Sequence, residues 1–279
     1  MTRRWLITGC SSGLGWALAR AAAAAGDRVL ATARRPETLA ELRDHYPDTV
    51  ETCPLDVRDP AACAAAVRVA VQRFGGVDVL VNNAGYGVLG AVEELADEEI
   101  EAQLQTLLLG PWRMTRLVLP LMRAQRSGHV LMVSSTTGRS AMPGLGAYVA
   151  AKFALEGMTE TLALEAAGTG VRTTLLEAGV FATNYGASLV DAATRLPEYR
   201  PIVDQIGALI RGEVPAGFKL SEPEELAEAV LALVNDDGEP PLRFPLGAGA
   251  WEILTGAAAH DRAAMTQLAE KLGVPVPAR

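Results

Sequence analysis

The sequence predicts a doubly wound α/β fold, a largely parallel sheet with helices on both faces, in one domain spanning 1–279. Three observations lead there. Short runs that are apolar nearly throughout recur along the chain. Stretches of helical composition separate them. The 279 residues, 49% of them hydrophobic, suffice for one sizeable core. Runs that are continuously apolar suit parallel strands buried on both faces. Strand–helix–strand alternation implies right-handed crossovers.

The first strand is "RWLIT" (4–8), and a glycine-rich turn leads from it into the Ala-rich helix 14–26, which stops at Gly26. A second strand, "RVLATA" (28–33), follows, and Pro60–Phe74 has helical composition. Then come strand 77–83, a long helix over Thr106–Arg123, strand 128–135, a second long helix over Tyr148–Ala167, and strand 171–179. The segment 184–220 breaks the rhythm with Pro197, Pro201 and Pro215. Leu196, Tyr199, Ile202, Val203, Ile206 and Ile210 recur within it at helical spacing, so it reads as an excursion with an amphipathic helix. It is either an ordinary surface helix or a lid over an apolar pocket, and its position favours the lid. A helix opening at Ser221 with Glu224 at capping-box spacing, and a strand over 241–246, complete the pattern.

A net charge of −8 makes phosphate backbones and anionic lipid unfavourable partners, so neither nucleic acid nor a membrane is expected. Cys10, Cys53 and Cys63 form no C-x-x-C pair, and His45, His129 and His260 are scattered. No disulfide framework or metal site is expected. No leader and no apolar run of ~20 residues stands out, so the expectation is a cytoplasmic protein.

Two stretches carry chemistry. In "LITGCSSGLG", Gly9, Gly13 and Gly15 let the backbone turn sharply between strand and helix. The helix N-terminus then offers free N–H groups and a positive dipole end to a pyrophosphate. Where a bare ribose 2′-OH wants an acid after the second strand, the chain has Ala33, Arg34 and Arg35. Paired guanidiniums suit a 2′-phosphate, which favours NADP(H) over NAD(H). The second stretch is "YVAAK": Lys152 follows Tyr148 by four residues, on the same helix face. A tyrosine of pKa ~10 is a poor base near neutrality, and lowering that by ~3 units takes ~4 kcal/mol of differential stabilisation. The ammonium supplies part of it. A carboxylate alongside would weaken the field, and 134–152 contains no Asp or Glu, so an unopposed cation is expected.

With "TGCSSGLG", "LDV" (55–57), "NNAG" (82–85), Ser135 thirteen residues before Tyr148, and "YVAAK", the chain resembles the short-chain dehydrogenase/reductase family from about residue 4 to 185. "TARRPETL" and "KFALEGM" are similar, more weakly, to its retinol- and hydroxysteroid-dehydrogenase-like branches. The resemblance implies a Rossmann-type sheet, with Ser135, Tyr148 and Lys152 catalytic. It implies that Gly9, Ser11, Ser12, Gly13, Leu14 and Gly15 cradle the pyrophosphate, with Asp56 and Val57 at the adenine. Asn82, Ala84 and Gly85 would line the cofactor edge, with Gly179, Val180 and Thr183 at the nicotinamide. Lys152 would also hold the nicotinamide ribose. Expected pocket walls are Tyr86, Val88, Met142, Leu145, Phe181, Tyr185 and the 184–220 excursion.

Two positions depart from the family. Leu107 stands where an Asn of the catalytic tetrad supports a water in the proton relay. Leu keeps the main-chain carbonyl and loses the amide, so the relay survives less precisely placed, or proton exchange is slow, or the chemistry is lost. Ala178-Gly179 replaces Pro-Gly, which loosens a turn and implies weaker cofactor ordering.

The leading reading is an NADP(H)-dependent oxidoreductase acting on a hydrophobic ketone or secondary alcohol, with Tyr148 as general acid/base. Leu107 keeps open a dehydratase, isomerase or epimerase without net redox turnover. A cofactor-binding scaffold is the third reading, and the Ser-Tyr-Lys set argues against it. Apolar residues around Thr106–Arg123, with Phe153, Met158 and Leu162 on the next helix, lead to an expected homodimer or homotetramer.

Overall fold

A computed structural model of the chain describes residues 2–215 and 217–275. The chain runs β1 (Arg4–Ile7), α1 (Gly13–Ala24), β2 (Arg28–Ala33), α2 (Ala40–His45), β3 (Val50–Pro54) and α3 (Pro60–Phe74). It continues through β4 (Val79–Asn82), β5 (Val88–Leu89), α4 (Asp97–Leu104), α5 (Gly110–Gln125), β6 (Gly128–Ser135) and α6 (Gly146–Ala166). It ends with β7 (Val171–Ala178), β8 (Val190–Asp191), α7 (Arg200–Ile210), α8 (Pro223–Asn235), β9 (Arg243–Leu246) and α9 (Ala250–Leu272).

Seven strands form one parallel sheet in the order β3-β2-β1-β4-β6-β7-β9. Side chains alternate between its faces, and both faces are covered. Trp5, Ile7, Val29, Ala31, Val79, Val81, Leu131, Val133 and Leu176 pack on one side with α1 and α8. Leu6, Leu30, Leu80, Val130, Met132 and Leu175 pack on the other with α3, α5 and α6. This is why the strand runs carry no polar alternation.

The structure moves several expected features. The capping box of α8 sits one residue later: Glu222 is the N-cap, and its N–H donates to Glu225 Oε1 at 3.0 Å. Ser221 donates to the other oxygen of Glu225, and Glu224 instead pairs with Arg20 at 2.7 Å. β3 and α9 were not anticipated. β3 carries Glu51 and Thr52 and is not apolar throughout, and α9 buries little besides Ala250 and Leu254, so it carries no strong periodic stripe. The two-residue strands β5 and β8 pair in parallel as a second small sheet, tying the excursion to the segment after β4. Among the described residues, no helix is long and apolar enough to cross a membrane.

Candidate active site

The strand order reverses between β1 and β4, and the loops leaving these strands open a crevice there. Gly9 adopts φ +73°, and a Cβ on it would lie 2.7 Å from the Ala84 Cα. A Cβ on Gly15 would lie 2.5 Å from the Gly9 carbonyl. The turn is stapled to the β4 end by two residues absent from the sequence-based assignment. Asn83 Nδ2 donates to the carbonyls of Thr8 and Gly9, both at 2.9 Å. Thr8 Oγ1 accepts the N–H groups of Asn83 at 2.9 Å and Ala84 at 3.0 Å. Their signal was present in "ITG" and "NNAG", as polar residues flanking a turn with backbone groups to satisfy.

Ser11 and Ser12 are exposed, Leu14 is half-buried, and Ser12 precedes α1 without a side-chain cap. The first N–H groups of the helix are therefore free for a ligand. Thr183 stands opposite, 3.4 Å from where a Cβ of Gly13 would be. Arg34 and Arg35 are exposed just past β2. Nearby, Asp56 is gripped by Arg58, which donates through Nε at 3.0 Å and Nη2 at 2.6 Å. That contact holds the Asp56 carboxyl below its usual range, with Arg34 adding a smaller effect. Arg58 is a further cation at this end that the motifs did not disclose. A glycine turn with positive φ and tight backbone packing, an uncapped helix start and guanidiniums beyond β2 fit a dinucleotide phosphate group.

Asn82 turns the other way. It is buried and donates to Thr115 Oγ1 at 3.2 Å, bracing the sheet against α5. Gly85 is exposed, and a Cβ on it would meet Leu107 Cδ2 at 2.9 Å. Leu107 is buried within a π turn, Gln105–Leu109, that leads into α5. The helix distortion is thus present without an amide at 107. Val57 is buried against Gly110.

Ser135 ends β6, and its Oγ accepts from Thr137 N at 3.2 Å and Oγ1 at 3.0 Å. Tyr148 and Lys152 lie one turn apart on α6, with the Lys152 Nζ 5.5 Å from the Tyr148 ring centroid. Burial pushes the Tyr148 phenol up, while the Tyr185 and Ser135 hydroxyls act against that. Lys152 is buried, and its Nζ donates to the Val133 carbonyl at 2.6 Å. Desolvation lowers its pKa to about 8, and Glu156 opposes the fall. The expectation of an unopposed cation is therefore corrected. Glu156 lies just past the 134–152 stretch, one turn after Lys152, and is itself buried.

Met142, Leu145 and Tyr148 share an apolar cluster with Leu89, Val149, and Leu189, Tyr199, Val203, Ile206 and Ile210 of the excursion. The excursion thus packs over the Tyr148 ring. Tyr185 comes close as well, its ring centroid 5.9 Å from that of Tyr148. Its hydroxyl is buried, has no partner at hydrogen-bond distance among the described residues, and lies 2.5 Å from where a Cβ of Gly87 would be. Val88 is buried in β5, donating its N–H to Gln103. Tyr86 lies within the fields of Arg58 and Arg34, toward the Asp56 end.

Two expected positions behave differently. Phe181 packs with the core under α1 and α8 and against Gly247, rather than in the Tyr148 cluster. Its neighbour Val180 has both backbone groups engaged, the N–H with Ala248 O at 3.0 Å and the carbonyl with Ser221 N at 3.2 Å. Gly179 is required there, since a Cβ would fall 2.4 Å from the Ala248 carbonyl.

The short chain dehydrogenase family model matches residues 3–193. An oxidoreductase of Botryotinia fuckeliana, BOA17, is 39% identical over 259 residues, covering 92% of this chain and 93% of that protein. A short-chain dehydrogenase from Streptomyces avermitilis superposes with a TM-score of 0.89 at 38% identity, over 98% of this chain and 97% of its own. An alcohol dehydrogenase from Thermococcus sibiricus, complexed with 5-hydroxy-NADP, has a TM-score of 0.72 at 28% identity, over 89% and 97%.

Proposed function

The chain belongs to the short-chain dehydrogenase family, and from that premise we propose that it transfers a hydride between NADP(H) and a hydrophobic ketone or secondary alcohol. The family and its NADP-bound neighbours support a nicotinamide-dependent oxidoreductase. One observation carries the finer reading. Ser135, Tyr148 and Lys152 converge at the carboxyl end of the sheet, beneath an apolar cover.

Gly9, Gly13, Gly15 and the start of α1 bind the pyrophosphate, and Arg34 and Arg35 attract the 2′-phosphate. A bound nicotinamide supplies or accepts the hydride. Ser135 Oγ holds the substrate oxygen, and the Tyr148 hydroxyl gives or takes its proton. Lys152 favours the phenolate and holds the ribose. The residues of 184–220 exclude water, and their apolar character selects a hydrophobic substrate. On the outer face, Trp112 and Phe153 are 45% and 46% exposed, which favours pairing of α5 and α6 between two copies as a dimer or tetramer. Leu162 takes no part, being buried within the chain.

The test is NADPH consumption with a panel of aryl ketones, for wild type and Tyr148→Phe. Loss of ~10²–10⁴ in rate on removing the hydroxyl is expected, and unchanged turnover overturns the assignment. Tight NADPH binding with no consumption across the panel would favour the reading without net redox turnover.

A further inference from the structure

A buried charged cluster lies behind the catalytic helix. Glu156 and Glu177 are 4% and 0% exposed, yet both reach the Arg243 guanidinium, at 3.0 Å and 3.9 Å from its Nε. Arg243 also pairs with Glu160 at 2.8 Å, and Arg139 pairs with Glu177 at 3.1 Å. Three buried oxygens here, Ser134 Oγ, Glu156 Oε1 and Glu177 Oε2, have no partner among the described residues. Gly138 brings two of them together: a Cβ on it would lie 2.8 Å from Ser134 Oγ and 3.2 Å from Glu156 Oε1. A cavity of about 320 Å³, lined by Arg139, Glu156, Arg243 and, from α9, Asp261, opens on the far side.

We propose that Glu156 is a positioning residue that keeps Lys152 an ammonium ion, its carboxylate fixed for that task by Arg243 and flanked by Glu177. The reasoning starts from the site. A lysine can stabilise a phenolate only while it is charged, and burial beside the Val133 carbonyl works against the charge. Glu156 follows Lys152 by one turn and both are buried, so the field of its carboxylate favours the ammonium without a direct ion pair between them. Tyr148 lies eight residues from Glu156, about 12 Å along the helix axis, where the same carboxylate opposes the phenolate far less. The groups facing Glu156 are Lys152 and Glu160 from α6, Ser134 from β6, Glu177 from β7, Arg243 from β9, Arg139 from the loop after β6, and Asp261 across the cavity. Counted with Lys152, the inner set of Arg139, Arg243, Glu156, Glu160 and Glu177 balances three positive charges against three negative ones only while the lysine is protonated. Burial and the neighbouring Glu177 raise the Glu156 pKa, and Ser134 and Arg243 hold it back.

The inference rests on Lys152 being the cation of the active site, but its test needs no substrate. The sequence has three lysines, Lys152, Lys219 and Lys271. Lysine labelled with ¹³C at Cε therefore gives three signals, and the one lost in Lys152→Arg is the site's own. In the wild type this signal is expected to titrate near pH 8. Glu156→Gln keeps the shape and removes the charge, and lowers the midpoint by about one pH unit. Glu156→Asp disturbs packing more but keeps the charge, and holds the midpoint within about 0.3. An unchanged midpoint in Glu156→Gln, or an equal fall in Glu156→Asp, overturns the proposal. Should the variants not fold, the wild-type signal alone decides. A second, smaller inflection on the acid side, as Glu156 takes up its proton, supports the proposal, and its absence overturns it. A Tyr148→Phe protein that kept full turnover would refute the assigned chemistry without touching this titration.

Discussion

The Lys152 ammonium donates to the Val133 carbonyl at 2.6 Å, tying the middle of α6 to the end of β6. Both groups are buried, so the charged form of the lysine has exchanged water for one carbonyl and the field of Glu156. Its folded pKa of about 8 lies below the ordinary 10.5. The unfolded chain therefore binds more protons than the native one between these values, and stability rises with pH across that window. In denaturant titrations without cofactor, the wild type should gain up to about 3 kcal/mol from pH 8 to 10.5 relative to Lys152→Met. Parallel curves for the two proteins would show that the amine is not held in a desolvated position.

Arg34 stands exposed past the end of β2 and makes itself felt at Asp56, which Arg58 already occupies. With Asp56 engaged, Arg34 is free to meet a 2′-phosphate. Arg34→Ala should weaken NADPH binding about 10- to 100-fold, the range of a lost charge-assisted contact, and leave NADH binding nearly unchanged. Equal affinities of the wild type for the two cofactors would remove the basis for assigning a phosphate site here.

The fold was legible because its buried strands are short, apolar throughout and separated by helices, and that pattern survives any arrangement of the surface. The β1–α1 turn and the Tyr148–Lys152 pair were legible because both are local in sequence. What escaped is what the topology assembles from afar. Glu156 bears on Lys152 from the same helix, but Arg243 pairs with Glu156 and Glu177, and Arg139 with Glu177, from two other strands and a loop. Arg58 gave no signal until Asp56 was seen to bind it. Phe181 was expected among the pocket walls, yet the chain turns it under α8, where Gly247 leaves room for its ring.

One buried carboxylate helps anchor the cover over Tyr148, beside the β5–β8 pairing and the Tyr199–Glu93 hydrogen bond. Glu94 is buried and accepts the N–H groups of Ala91 at 2.7 Å and Leu196 at 2.6 Å, which hold its carboxyl below the usual range. Arg195, beside it, also pairs with Asp204 of α7. Glu94→Ala removes the acceptor and leaves Leu196 N–H unpaired. Amide exchange in 190–200 should speed up by at least about tenfold, while the strands of the large sheet keep their protection. Uniform acceleration would mean that Glu94 supports the whole fold and not the cover alone.

His129 gives the acid limit. It is buried in β6, its Nε2 within 3.0 Å of Thr174 Oγ1, and its Nδ1 has no partner among the described residues. Desolvation, with a smaller push from Arg172, lowers its pKa to about 3. The native state thus keeps the ring neutral where the unfolded chain, near the ordinary 6.5, already takes up a proton. A depressed folded pKa contributes stability above the unfolded value that is lost as pH falls. From pH 6.5 toward 3 this one ring should cost up to about 4 kcal/mol. Carboxylates that are ion-paired in the native state, such as Asp56, lose stability over the lower part of the same range, so the wild-type curve alone does not isolate the ring. His129→Gln has no proton to take up and can still reach Thr174 with its amide. The variant should therefore resist acid more than the wild type even where it is less stable at pH 7, and identical acid midpoints for the two proteins would exclude the ring as the limiting group.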